Sequence, residues 1–98
     1  MNSEEIIRVL GGNDNISKIT KPKENDIICD FGIPEFGIGI SIYHVDKTNG
    51  ETLSLTVLLD EGQIAFDKTK NLVISDNTFY LIKDYSKIDR RPFKAGRW

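Results

Sequence analysis

The stretch that decides the fold runs Gly37-Ile38-Gly39-Ile40-Ser41-Ile42-Tyr43-His44-Val45, then Asn49-Gly50, then Leu53-Ser54-Leu55-Thr56-Val57-Leu58-Leu59. Ile38, Ile40 and Ile42 alternate with Gly37, Gly39, Ser41 and Tyr43. Leu53, Leu55, Val57 and Leu59 alternate in the same way against Ser54 and Thr56. A period of two marks strands with one face toward a core. Asn49-Gly50 between them is the strongest short hairpin signal, because both central positions of a type I′ turn need positive φ. With those two residues as the loop, Ile42 is expected to face Val57, Ile40 to face Leu59 and His44 to face Leu55. Apolar then meets apolar everywhere except at His44.

Upstream, Ile27, Ile28, Cys29 and Phe31 read as a strand, closed by a turn or bulge at Gly32-Ile33-Pro34-Glu35, since Pro34 cannot donate to a ladder. Lys21-Pro22-Lys23-Glu24-Asn25 is a polar loop. Ser3-Glu4-Glu5 reads as a helix start, with Ser3 as cap and the acids at the positive end of the dipole. Ile6, Ile7, Val9 and Leu10 form an apolar stripe that Gly11-Gly12 ends. Asn13-Asp14-Asn15 is turn chemistry, and Ile16 with Ile19 anchors a second helical turn.

Downstream, Asp60-Glu61-Gly62-Gln63 is a turn, Ile64 and Phe66 begin a short strand, and a turn at Asp67-Lys68-Thr69-Lys70 leads into Asn71 to Ser75. Asp76-Asn77 reads as a second hairpin turn into Thr78 to Asp84. Phe79, Tyr80, Leu81 and Ile82 place apolar groups on both faces of that strand, as in a central or doubly covered one. The expected class is α+β: a short N-terminal helix on an antiparallel sheet of five or six hairpin-connected strands. A small β-sandwich or half-barrel with one helix is the alternative.

The chain of 98 residues is expected to be one domain, 1–98, with a composition of 39% hydrophobic and 29% charged residues that suits a globular protein. The single cysteine excludes an intramolecular disulfide and fits a reducing compartment; with an acidic N-terminus unlike a secretory signal, it points to the cytoplasm. No apolar run is long enough to span a bilayer. The net charge of −2 conceals an asymmetry: residues 1–82 carry seven Lys/Arg against thirteen Asp/Glu, and residues 83–98 carry six against two. An acidic body thus bears a basic, aromatic tail over 86–98, which suggests action by charge complementarity.

No catalytic, metal or cofactor motif is legible. His44 is the sole histidine and reads as semi-buried and structural. Cys29 lacks a cationic neighbour and reads as core. Asp60, Glu61 and Asp67 lack the spacing of a calcium loop, and Gly37-Ile38-Gly39 opens a strand instead of joining one to a helix, as a phosphate loop would. Asp26, Asp30 and Glu35 flank the first strand of the sheet, and Asp60, Glu61 and Asp67 flank a later one. On a common rim these six would form a patch for a basic partner. In the tail, Arg90, Arg91, Phe93, Arg97 and Trp98 suit either a fold-back onto the acidic body or a nucleic-acid arm.

The run Ile6-Ile7-Arg8-Val9-Leu10-Gly11-Gly12-Asn13-Asp14-Asn15-Ile16 resembles the opening of the IIB domains of sugar phosphotransferase systems, which begin with a short helix, Leu-Gly-Gly and Asn-Ile. That family's phosphorylated cysteine would fall near Pro22, and Cys29 is followed by Asp30-Phe31 where the family has Thr-Arg, so the resemblance does not carry phosphotransfer with it. In size, charge and style the chain resembles the small acidic immunity proteins of bacterial toxin systems, including contact-dependent growth inhibition. This resemblance implies a non-enzymatic inhibitor that occludes the active site of a basic, nuclease-type toxin, with no cofactor. The alternatives are a nucleic-acid-associated protein that uses its basic tail and a degenerate phosphotransferase-like domain.

Overall fold

The decisive hairpin forms, with a register of its own. The computed structural model describes residues 2–30, 40–60 and 69–95. Among them are one helix, α1 (Ser3–Val9), and seven strands: β1 (Ile16–Ile19), β2 (Ile27–Asp30), β3 (Ser41–Thr48), β4 (Thr52–Asp60), β5 (Thr69–Val73), β6 (Phe79–Ile82) and β7 (Lys94–Ala95). At the β3–β4 turn Gly50 takes φ +91°, and the Asn49 side chain accepts from the backbone N–H groups of Glu51 (2.9 Å) and Thr52 (2.8 Å). The loop residues are therefore Gly50 and Glu51, and Thr48 faces Leu53.

Two β-bulges then shift the ladder, Asp46 being the extra residue on β3 and Leu58 the extra residue on β4. The observed pairs are Ile42–Leu59, Tyr43–Val57, His44–Thr56 and Val45–Leu55, in place of the expected Ile42–Val57 and His44–Leu55. Side-chain direction alternates along a strand, so the extra residue at Leu58 sends Val57 and Leu59 to opposite faces. Leu53, Leu55, Val57, Tyr43 and Val45 share one core with Ile28 and Phe79. Leu59 joins Ile40, Ile42, Cys29 and Ile82 on the other face, where Ile6, Val9 and Leu10 of α1 and Ile88 and Phe93 of the C-terminal segment cover them.

All pairings are antiparallel, and the strand order is β1-β6-β2-β3-β4-β5, with β7 on β4 beyond the end of β5. An antiparallel sheet with a short helix is thus the architecture of the described residues. β6 lies between β1 and β2, and it buries Phe79 on one face and Ile82 on the other, as its two-sided apolar pattern predicts.

Three local expectations are corrected. The helix cap is Asn2 instead of Ser3; its Oδ1 accepts the Glu5 N–H at 2.9 Å. Ile16–Ile19 is strand β1 instead of a helical turn, because Ile16 and Ile19 pair with Ile82 and Phe79 and serve opposite faces. Asp76-Asn77 is not a hairpin turn: Asn77 stays extended at φ −132°, whereas a tight hairpin loop needs positive φ. A 3₁₀ turn over Ile74–Asp76 instead sends the chain from β5 across to β6. The strand expected at Ile64 and Phe66 lies outside the described residues.

The seven residues of α1 are too few for an independent helix, so packing must hold it. Its exit is a Schellman motif: Gly12 N–H bonds Ile7 C=O at 2.9 Å and Gly11 N–H bonds Arg8 C=O at 3.1 Å, with both glycines at positive φ.

Candidate partner-binding site

Antiparallel pairing brings Asp30 (β2), Ser41 (β3), Asp60 (β4) and Lys94 (β7) into one row at one end of the sheet. Alternation from Ile28 and Tyr43 puts Asp30 and Ser41 on the same face as the Tyr43 core. Asp60 follows Leu59 and so returns to that face as well. Ser41 Oγ lies 3.4 Å from Asp60 Oδ2, a long hydrogen bond. Asp60 is only 4% exposed, and Asp30 is half-buried.

Tyr43 sits behind this row. Burial pushes its phenol above the ordinary range; the Ser41 hydroxyl and the Lys70 ammonium act the other way, and the Asp30 charge adds to the rise. The Lys70 ammonium stands 5.8 Å from the Tyr43 ring centre, within cation–π range.

The structure thus brings Asp30 and Asp60 together and separates Asp26 from them. Asp26 stands at the opposite end of β2, where its carboxylate accepts the Lys23 N–H at 2.9 Å and its C=O accepts the Val45 N–H at 2.9 Å. Glu35, Glu61 and Asp67 lie outside the described residues. Asp60, being buried, can act on a partner through its field but offers little surface to touch.

The tail packs back onto the body through residue 95. Phe93 and Ile88 are core residues, and Lys94–Ala95 is strand β7. Arg91 pairs with Asp89 of the tail itself, through Nη2 at 2.7 Å and Nε at 2.9 Å, and Arg90 stacks 4.9 Å above the Tyr85 ring. Arg97 and Trp98 lie outside the described residues.

Sequence reading missed a second polar group. His44 Nδ1 lies 2.7 Å from Asp46 Oδ1, and Thr56 Oγ1 donates to Asp46 Oδ2 at 2.6 Å. A carboxylate only accepts, so the contact fixes the imidazole proton on Nδ1. The Thr56 hydroxyl, then His44, hold the Asp46 carboxyl below its usual range. The bulge at Asp46 aims its side chain at both neighbours, and no composition or spacing rule announces that bulge. Cys29 is fully buried, and its thiol is pushed up by burial and then by Asp30, which makes it a core group. No group of three or more metal-ligating side chains occurs among the described residues, and no helix there is long and apolar enough to cross a membrane.

No family model, curated protein or solved structure matches this chain.

Proposed function

We propose that the protein is a non-enzymatic, protein-binding inhibitor that meets a basic partner with the Asp30–Ser41–Asp60 end of its sheet. In its most concrete form it is an immunity protein that neutralises a nuclease-type bacterial toxin in the cytoplasm by covering the toxin's active site. The observation that carries this reading is the register, which sets two acidic strand ends either side of Ser41. Glu35, Glu61 and Asp67, the other acids of the expected patch, lie outside the described residues. Acidic groups held at the end of a rigid sheet speed encounter with a basic surface and align it, while apolar contacts set the residence time. Asp26, at the far end of β2, has no part in this contact.

The test is capture from a lysate of the source organism with tagged full-length protein. The reading requires one stoichiometric basic protein, with a nuclease activity abolished by an equimolar amount of this chain. A captured protein whose activity is unchanged by saturating amounts of the chain contradicts inhibition.

A further inference from the structure

Residues 83–93 leave β6 and return across the face that α1 also covers. The Lys83 N–H bonds Asn15 C=O at 2.9 Å, the Asp89 N–H bonds Val9 C=O at 2.9 Å, and Phe93 closes over the core before β7. This strap turns its apolar residues Ile88 and Phe93 inward and leaves Lys83, Lys87, Arg90 and Arg91 exposed; Arg91 is 90% exposed despite its pairing. Arg8, exposed in the last turn of α1, adds a fifth cation close enough to act on Asp89. The two carboxylates in the strap are already engaged: Asp84 accepts from Ser86 Oγ at 2.6 Å, and Asp89 is bound by Arg91. Glu4 and Glu5 lie in the first turn, at the far end of α1.

We propose that this strap, with Arg8, is a docking surface for the phosphate backbone of duplex nucleic acid. The strap covers the α1 face of the sheet, opposite the face that carries Asp30, Ser41 and Asp60, and the inference goes beyond the inhibitor reading. The choice of partner follows from what the strap exposes. A membrane contact needs apolar side chains to insert, and Ile88 and Phe93 are buried. A protein interface needs an apolar or aromatic anchor at its centre, and Tyr85 is half-buried beneath Arg90. Binding of single strands leans on exposed aromatic platforms, for the same reason not offered here. What remains is a set of exposed cations on an ordered backbone, suited to phosphates and indifferent to base sequence.

The experiment is fluorescence anisotropy of full-length protein with a labelled DNA duplex of about 20 base pairs, at about 50 and about 200 mM salt. With Arg91 held by Asp89, contacts from Arg8, Lys83, Lys87 and Arg90 make four, which predict an affinity loss of roughly 10²-fold between those conditions. The double variant Lys87→Glu, Arg90→Glu should weaken binding at low salt by about tenfold or more. Both side chains are exposed, so an unchanged thermal midpoint shows that the variant is folded, while Glu61→Lys should not weaken binding. Absence of binding at low salt overturns the proposal, as does binding that the double variant leaves intact. Equal or tighter binding to polyglutamate, or to phosphatidylserine vesicles, also overturns it by assigning the strap to another partner class.

Discussion

The side-chain amide of Asn15 pairs with the backbone of Asp84 as another strand would: Oδ1 accepts the Asp84 N–H at 2.8 Å, and Nδ2 donates to the Asp84 C=O at 3.0 Å. Nδ2 also donates to Leu10 C=O at 2.7 Å, so one buried side chain ties the exit of α1 to the end of β6. Asn15→Ala leaves three backbone groups short of a partner and should cost roughly 2–4 kcal/mol. Asn15→Asp should be no milder, because it turns an acceptor toward two carbonyls. Urea unfolding of both variants measures this, and a loss within experimental error would remove Asn15 as the clamp.

Gly11 and Gly50 share a positive φ, of +97° and +91°, and differ in surroundings. A Cβ at Gly11 would meet Asn15 Nδ2 at 2.6 Å and Lys87 Cβ at 3.0 Å, whereas one at Gly50 would meet nothing within 4 Å. Gly50→Ala should therefore cost only the backbone term, about 1 kcal/mol. Gly11→Ala adds displacement of the Asn15 clamp and should cost clearly more, about 2–4 kcal/mol. Equal losses in denaturant titrations would show that the crowding at Gly11 relaxes freely.

The hydrogen bonds from Arg91 hold the Asp89 carboxyl at about 2, below the ordinary range of an aspartate. A carboxyl depressed on folding contributes stability above its unfolded pKa, and that contribution is lost as pH falls through the folded value. Asp89 therefore stabilises the strap fully above about pH 4 and progressively less down to about pH 2. Asp46 and Asp84, both shifted downward, act in the same direction. In Arg91→Ala the Asp89 titration followed by carboxyl NMR should move up toward its ordinary range. The stability of that variant should fall less steeply with acid between those limits. An unmoved Asp89 midpoint would mean that Arg91 is not its partner in solution.

What the sequence revealed of the fold was set by periodicity and by strong turn residues. Alternation in Ile40–Val45 and Leu53–Leu59 announces two paired strands, and Asn49-Gly50 announces the reversal. The register failed because the bulges at Asp46 and Leu58 depend on which faces the sheet must cover, a tertiary demand with no local signal. The same demand hid the two cores: Leu59 continues the pattern of Leu53, Leu55 and Val57 along the chain yet serves the opposite face. Ile16 and Ile19 fit a helix and a two-faced strand equally well by spacing, and only pairing with β6 decides between them. Of the candidate site, the acidic composition was legible, and the meeting of Asp30 with Asp60 across Ser41 was not. Asp26, near Asp30 in sequence, is carried to the other end by the length of β2.

Recognition of a basic partner by the acidic set is tested by charge reversal of Glu35, Glu61 and Asp67, its members outside the described residues. Wild-type protein and the triple variant Glu35→Lys, Glu61→Lys, Asp67→Lys would be used side by side for capture from the source lysate, at low and high salt. Buried Asp60 would be left untouched, and circular dichroism would confirm that the variant is folded. The wild type should retain a basic protein, more of it at low salt, and the folded variant should retain little or none. Undiminished capture of that protein by the variant would contradict that recognition.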